Sequence, residues 1–332
     1  MTQKQEQTLV RLIEILSDGQ FHSGTQIGAE LNLSRAAINQ YIKKLSSLGL
    51  DVYSVTGRGY RFNKPLQLLD EAKLAKFLDR EGDVNMVLER IVGSSNDVLK
   101  AVIKQTPQTA GFAVVAEAQT AGRGRRGRSW SSPFGTNLYL SMYWPLENGM
   151  SQAMGLSVAI GTAIAKAFAE SGIQAVQLKW PNDVLIEKRK IAGILVELEG
   201  QATGPATAII GIGVNLSMPE WAARDIEQPW IDLEQALGGA FDRNEWVARI
   251  ITAVREALMI YQNQGIKPFR ESWNQFDAYQ NQAVKLLMGT HAIRGVAVGI
   301  DEQGALLLKR DGKIEAYHAG EVSLRNDEAT SR

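Results

Sequence analysis

The stretch "AGRGRRGRSWSSPFGTNLYLSMYW", residues 121–144, decides the fold. Gly122, Gly124 and Gly127 satisfy G-x-G-x-x-G, the spacing with which a strand–turn–helix unit cradles a dinucleotide. That motif needs a strand before it and a helix after it. "FAVVAEA" at 112–118 supplies the strand, but Pro133 and Gly135 follow the glycines, and "NLYLSMYW" then reads as a second strand. Without a helix N-terminus no dipole receives a pyrophosphate, and the doubly wound dinucleotide fold is excluded. What remains is a loop between strands with Arg123, Arg125, Arg126 and Arg128 among three glycines. Arginine offers planar bidentate donors to phosphate oxygens, and glycine lets backbone approach an anion closely, so the loop reads as a mobile wrap for a polyphosphate. A solvated basic loop is the plain alternative. An RGG-like nucleic-acid tether fits less well, because such tethers repeat in low-complexity sequence.

Downstream, "KWPND" at 179–183 and "RKIAGILVE" at 189–197 place Lys179 and Lys190 on neighbouring strands or turns about the bend Pro181-Asn182-Asp183, and "GIGVN" follows at 211–215. Strand-like runs succeed one another with only turns between, as at 180–183 and 187–190, so the central sheet is expected to be largely antiparallel. Helical runs stand at 95–105, 151–171 and 245–263. The region 66–275 is therefore read as an α+β domain. From 276 to 325 short strands break at Met288-Gly289-Thr290, at 301–304 and at Arg310-Asp-Gly-Lys313, a small β-barrel pattern whose Asp-Gly pair marks a hairpin.

Upstream, apolar residues recur at helical spacing from Leu9 to Leu45. Ser23 with Gln26 forms a capping box, Ser34 is a good N-cap, and only Asn32 and Leu33 separate the second and third helices, which is helix-turn-helix spacing. "DVYSVTGRGYRF" adds a hairpin about Gly57 and Gly59, completing a winged helix over residues 1–64. Eight Lys/Arg against five Asp/Glu leave this region at +3. In the third helix Arg35, Asn39 and Gln40 are side chains able to read base edges, while Lys43, Lys44 and the wing's Arg58 and Arg61 suit phosphates. A solvated helix face is the alternative reading.

Over all 332 residues Lys+Arg and Asp+Glu both number 36, so attraction to nucleic acid has to come from such local clusters. No cysteine is present, which excludes disulfides, thiolate nucleophiles and thiolate metal sites. His22, His291 and His318 lie in the outer regions and no G-x-S-x-G occurs, so no nucleophile stands beside a base. A polar N-terminus and no apolar run approaching the roughly 20 residues of a membrane span point to a cytoplasmic protein without membrane attachment.

"GRGRRGR", "KWPND", "KIAGILVE" and "GIGVN", in this order behind a winged helix, resemble the bifunctional bacterial biotin protein ligases that double as biotin operon repressors. The resemblance implies a class II synthetase-like biotin/lipoate ligase core with a C-terminal SH3-like β-barrel. It implies ATP with Mg²⁺, biotin as substrate, biotinoyl-5′-AMP as intermediate and co-repressor, and a lysine of the biotin carboxyl carrier protein of acetyl-CoA carboxylase as acceptor. It also implies a homodimer on the biotin operator DNA. By the same resemblance Lys190 and Arg125 are catalytic, and Ser94, Ser95, Gln119, Arg123 and Lys190 bind biotin. Gly122, Gly124, Arg125, Arg126, Gly127, Asn182, Asp183, Asn215, Trp230 and Arg325, with Glu321 beside it, hold the nucleotide. Asp183 is a candidate for placing the metal, and Ser34, Arg35, Asn39, Gln40, Lys43 and Arg58 meet DNA. "GSSN" at 93–96 departs from the family's pattern, which has an acid first and threonine third; Ser95 keeps the hydroxyl and Gly93 loses the charge. Ser94 and Ser95 also suit the N-cap of the helix that follows. A non-catalytic biotin-sensing repressor and a lipoate-type ligase are the alternatives.

Overall fold

The computed structural model describes residues 3–78, 85–288, 291–318 and 322–326. Helices α1 (Gln3–Leu16), α2 (Gly24–Leu31) and α3 (Arg35–Ser47) precede the hairpin β1 (Val52–Val55) and β2 (Gly59–Phe62). The capping box forms as expected, with the Ser23 hydroxyl accepting from the Gln26 backbone and the Gln26 side chain accepting from the Ser23 backbone, and Ser34 Oγ accepts from Ala37 N–H. Asn32 takes a left-handed conformation at the end of α2 (φ 52°), which turns the chain into α3 within two residues. Leu9, Leu12, Ile13, Leu16, Ile27, Ile38 and Leu45 are buried at helical spacing and close over Tyr60 and Phe62 of the wing. Gly59 has φ 104°, and a Cβ there would lie 2.0 Å from the His22 carbonyl oxygen, so only glycine lets the wing pair with residue 22.

After the linker, α4 (Glu71–Phe77) leads to the central domain, whose elements are β3 (Met86–Val92), α5 (Ser95–Gln105), β4 (Ala113–Gln119), β5 (Leu138–Leu146), α6 (Leu156–Glu170), β6 (Val176–Lys179), β7 (Asp183–Ile186), β8 (Arg189–Gly200), β9 (Ala206–Val214), α7 (Leu233–Leu237), α8 (Arg243–Gln264) and α9 (Arg270–Phe276). Among the described residues the sheet order is β3-β4-β5-β9-β8-β7-β6, and only β3–β4 is parallel, as the turn-joined strands require. Alternation along β4 fixes the layers: Ala113 and Val115 face the core with α6 and α8, while Val114 packs with Leu99 of α5 on the other face.

One sequence expectation needs correction. The 21-residue segment Met150–Glu170 is long and apolar enough by length and composition to cross a membrane. It contains α6, which buries Leu156, Val158, Ile160, Ile164 and Phe168 between the sheet and α8, so its apolar character on nearly all sides reflects burial in protein.

Strands β10 (Ala283–Met288), β11 (His291–Ile300), β12 (Leu306–Arg310), β13 (Lys313–Tyr317) and β14 (Val322–Asn326) form an antiparallel sheet in the order β13-β12-β11-β10-β14. The Asp311-Gly312 turn has both residues at positive φ (46° and 77°), as its hairpin requires. The turn expected at 288–290 and the site residue Glu321 fall at positions 289, 290 and 321, outside the described residues. Arg325 pairs through its backbone with Lys285, and its side chain also lies outside what is described. This β domain is anchored where Trp180 Nε1 donates to the Gly304 carbonyl at 3.0 Å.

A buried ionic node joins the parts. Glu117 of β4, fully buried, accepts from Arg243 Nη1 at 2.6 Å and from the linker's Leu69 N–H at 2.6 Å. Arg90 of β3 stands 3.3 Å from Glu117 and 3.8 Å from Glu14 of α1. Truncating Glu117 or Arg243 would strand a buried charge, at a cost of about 3–5 kcal/mol.

Candidate active site

A cleft of about 860 Å³ opens beside the end of β4, between the N-terminus of α5, the arginine loop, the glycine-bearing strands β8 and β9, and the loop at 222–229. Ser94, Ser95, Gln119, Arg123, Gly124, Arg125, Asn182 and Lys190, half of the residues expected at the ligand site, line it. Gly122, Arg126, Gly127, Asp183, Asn215 and Trp230 lie outside the lining. Arg126 is exposed at the tip of the loop in a left-handed conformation (φ 60°). Asp183 and Trp230 stand behind the lining, where they act on Lys190.

The polar end is built on Gln119. Its Oε1 accepts from Ser95 N–H at 2.9 Å and from Ser95 Oγ at 3.0 Å, and its Nε2 donates to Ser132 Oγ at 3.0 Å. Ser141 Oγ lies 2.8 Å from Ser95 Oγ and 2.5 Å from Asn96 Oδ1. Ser94 occupies the N-cap position of α5 yet makes no side-chain capping bond. Asn96 and Ser141 are buried site residues that the sequence reading missed.

The floor is glycine for a steric reason. A Cβ on Gly211 would stand 2.8 Å from Asn96 Oδ1, and one on Gly213 would stand 2.3 Å from Trp130 Cε2. Trp130 therefore lies on β9, and its ring also receives Lys190 Nζ 5.1 Å from the centroid. The Trp130 indole N–H is buried with no partner.

Lys190 is held at both ends. Its backbone N–H donates to the Pro229 carbonyl at 2.9 Å and its carbonyl accepts from Ile231 N–H at 3.0 Å, which places Trp230 alongside it. Asn215, buried, donates to the Ile231 carbonyl at 3.2 Å and reaches the Lys190 carbonyl at 3.4 Å. Lys190 Nζ meets Asp183 Oδ1 at 2.7 Å, both side chains being nearly buried. Arg125 Nη1 donates to Asn182 Oδ1 at 3.0 Å. Burial lowers the Arg125 pKa from its usual range, and Asp183 partly offsets this.

The arginine loop is more ordered than its glycines imply. Trp130 N–H donates to the Gly122 carbonyl at 2.9 Å, Gly124 N–H to the Arg128 carbonyl at 2.7 Å, and Ala121 N–H to the Gly93 carbonyl at 2.8 Å. These bonds fold residues 122–130 into a short hairpin, so part of the ordering is built into the chain itself.

Residues 87–215 match the Biotin/lipoate A/B protein ligase family, residues 8–61 an HTH domain, and residues 280–325 the Biotin protein ligase C terminal domain. The chain is 45% identical to the bifunctional ligase/repressor BirA of Salmonella typhimurium over 96% of this chain and 97% of that protein. The chain belongs to the bifunctional biotin ligase/repressor family. The BirA proteins of Escherichia coli and Bacillus subtilis are 44% and 30% identical over similarly full lengths. A solved biotin protein ligase from Aquifex aeolicus, in complex with biotin and ATP, matches 74% of this chain and all of its own at a TM-score of 0.61 and 28% identity. Membership makes this chain a biotin protein ligase with a repressor's DNA-binding domain, and it excludes the non-catalytic sensor as the main reading.

Proposed function

We propose that the cleft joins biotin to ATP and passes the biotinoyl group to a carrier lysine. In the first step a biotin carboxylate oxygen bonds to the α-phosphorus and the bond to pyrophosphate breaks, leaving biotinoyl-5′-adenylate. In the second the lysine amine attacks the acyl carbon, AMP departs, and the amine loses a proton as the amide forms. The first step brings two anions into contact and the second expels AMP as an anion, so fixed cations carry the catalysis. Lys190 faces the two anions where carboxylate and α-phosphate meet, and Asp183 and Trp130 hold its ammonium in place. Arg125 takes phosphate oxygens from its place beside Asn182. Ser95 and Gln119 form the polar end for biotin's ureido ring, with Ser94 and Arg123 beside it. Gly122, Gly124, Arg126 and Gly127 shape the loop over the nucleotide, Asn182 borders it, and Asn215 and Trp230 serve it through the Lys190 backbone that they fix. Arg325 of the β domain is assigned to the nucleotide with them. The loop excludes water from a mixed anhydride that water would hydrolyse.

Among the described residues no group of three or more acidic, His or Cys side chains could hold a metal. The Mg²⁺ of this reaction is carried by the ATP phosphates, with Asp183 the side chain that would help to place it, and no step is routed through it.

The single observation that carries the reading is Lys190 Nζ, pinned 2.7 Å from Asp183 in the cleft that Arg125 also lines. The test is incubation with ATP, Mg²⁺, biotin and a biotin carboxyl carrier domain. Biotin on one carrier lysine supports the reading, and lipoate competing equally with biotin would favour the lipoate-type alternative.

The repressor half rests on α3, where Arg35, Asn39, Gln40 and Lys43 are exposed on one side, with Ser34 at its cap and Arg58 on the wing. Tyr60 Oη donates to Asn39 Oδ1 at 2.5 Å, tying the reading helix to the wing. One winged helix contacts few base pairs, so operator binding requires a homodimer. Strand β8 offers the edge. Its residues 189–193 pair with β7 and Ile194 bonds to Asn182, but beyond this point no described strand covers that side. By alternation Val196 and Leu198 turn their backbone N–H and C=O outward there, ready to pair with a second copy. The adenylate would act as co-repressor by completing the loop hairpin beside this edge. We assign 1–64 to DNA binding, 66–275 to ligation and 276–325 to the β domain, in a protein working in the cytoplasm with its nucleotide, carrier and operator.

A further inference from the structure

Arg123 lines the cleft at its rim, and its guanidinium is held by a carboxylate. Its Nη1 and Nη2 stand 2.7 Å and 2.6 Å from the two carboxylate oxygens of Asp97, a bidentate pair between the arginine loop and the first turn of α5. Asp97 follows directly on Ser95 and Asn96, both of which line the cleft. Arg123 also reaches Glu197 Oε2 at 3.8 Å, and that carboxylate accepts from Asn96 Nδ2 at 2.8 Å. The loop is thus registered against the biotin end of the cleft through Arg123, expected to bind biotin, by Asp97, a side chain to which no role was expected.

Other ties on the loop serve a different purpose. Arg125 bonds to Asn182, and both groups are those assigned to the nucleotide, so that contact has to rearrange when ATP enters. Arg123 and Asp97 lie at the rim, with side-chain exposures of 38% and 56%, and can stay joined throughout the cycle. Gly93, where the family's motif carries its acid, offers no carboxylate to this corner, and a side chain there would meet nothing within 4 Å. Asp97 supplies the charge one helical turn later.

We propose that Asp97 is a positioning residue for the ligase reaction: through Arg123 it holds the arginine loop over bound biotin and slows escape of the adenylate. This rests on the ligase reading above. The pair exists before ligand arrives, so part of the loop's ordering cost is met in the free protein, and its loss weakens binding more than chemistry. Bidentate geometry raises the pair above an ordinary surface ion pair, and solvent screening keeps the effect modest.

The test compares steady-state biotinylation and adenylate release for wild type, D97A, D97E, R123A and D97A/R123A. D97A is expected to raise the KM for biotin and the rate of adenylate release about fivefold, with kcat at saturating biotin changing by less than about twofold. D97E, which keeps the charge, is expected to recover most of the loss. The double variant is expected to be no worse than R123A alone, because Asp97 acts only through Arg123. Wild-type KM and release rate in D97A, additive losses in the double variant, or an equal fall of kcat with a lowered melting temperature would each overturn the proposal. Failure of the wild type itself to form adenylate would instead strike the ligase reading, so the two failures are distinguishable.

Discussion

Lys190 Nζ meets Asp183 Oδ1 at 2.7 Å across the β7–β8 ladder, in which Lys190 pairs with Leu185 and Asp183 with Gly193, and the Trp130 ring centroid stands 5.1 Å from the same ammonium. Asp183 begins the strand that returns from the Pro181 turn, and Lys190 enters the next strand beside a register shift at Val184/Leu185. The ladder therefore brings a cation and its counter-ion to the cleft wall from positions only seven residues apart.

Replacing this lysine tests the chemistry directly. K190A is expected to reduce adenylate formation by about 10²–10³-fold, the usual loss when one preorganised charge donor is removed from a reacting anion. Pyrophosphate release in single turnover measures it. Because removal also leaves Asp183 unpaired, K190R serves as the control that keeps the charge. Wild-type rates in K190A would remove Lys190 from the reaction.

For the DNA-binding half, R35A is expected to weaken operator binding by about 1–3 kcal/mol while carrier biotinylation stays at the wild-type rate. Operator affinity is also expected to fall steeply with salt, as phosphate contacts release counter-ions. Mobility-shift titrations at two salt concentrations check both. Parallel losses of DNA binding and ligation would contradict the division of labour between the winged helix and the cleft.

The free edge of β8 leads to a third expectation. Leu198 is 37% exposed on that edge and pairs with Ala208 on its other side. L198P removes an outward N–H without touching the cleft, so ligation continues but assembly on biotin and ATP is lost. Sedimentation equilibrium measures the assembly. A monomeric wild type with both substrates present would reject ligand-driven pairing.

A pH-dependent test comes from Asp277, where α9 runs toward the β domain. Burial pushes its pKa up to about 6, with Tyr279 N–H bonding partly opposing the shift. A carboxyl whose folded pKa is raised stabilises nothing when ionised. Below about pH 4 it is neutral in both folded and unfolded chains, and as pH rises through 6 the folded protein loses stability. D277N retains the acceptor oxygen and is expected to stabilise the protein by about 1–3 kcal/mol at pH 7.5 and by almost nothing at pH 4. Thermal melts at the two pH values decide this. Equal stability at both would show that the carboxyl is not desolvated.

The helix-turn-helix was readable because its signals are local: Ser23 with Gln26 and Ser34 each act within three residues, and the buried leucines repeat along single helices. The antiparallel sheet was readable because its turns join neighbouring strands. Strand β3 was not, since Glu89 and Arg90 interrupt its apolar run; Arg90 is there for Glu14 and Glu117, partners far away in sequence. Residue types at the site were legible, but their division of labour was not. Arg123 goes to Asp97, 26 residues earlier, while Arg125 turns to Asn182, 57 residues later. Asn215 and Trp230 fix the Lys190 backbone rather than line the cleft, and Trp130 needs the bare backbone of Gly213 beneath it. Each of these depends on strand register, which motif spacing alone does not carry.

The account's central claim is that the cleft makes an acyl-adenylate and the arginine loop shelters it. Labelled biotin and ATP mixed with the wild type and with R125A, followed by rapid gel filtration and a carrier chase, tests this most directly. The wild type is expected to retain one biotinoyl-adenylate per protein and discharge it onto a carrier lysine, while R125A releases its adenylate into solution before the chase. Adenylate escaping from the wild type as fast as it forms, or no adenylate at all, would contradict the claim.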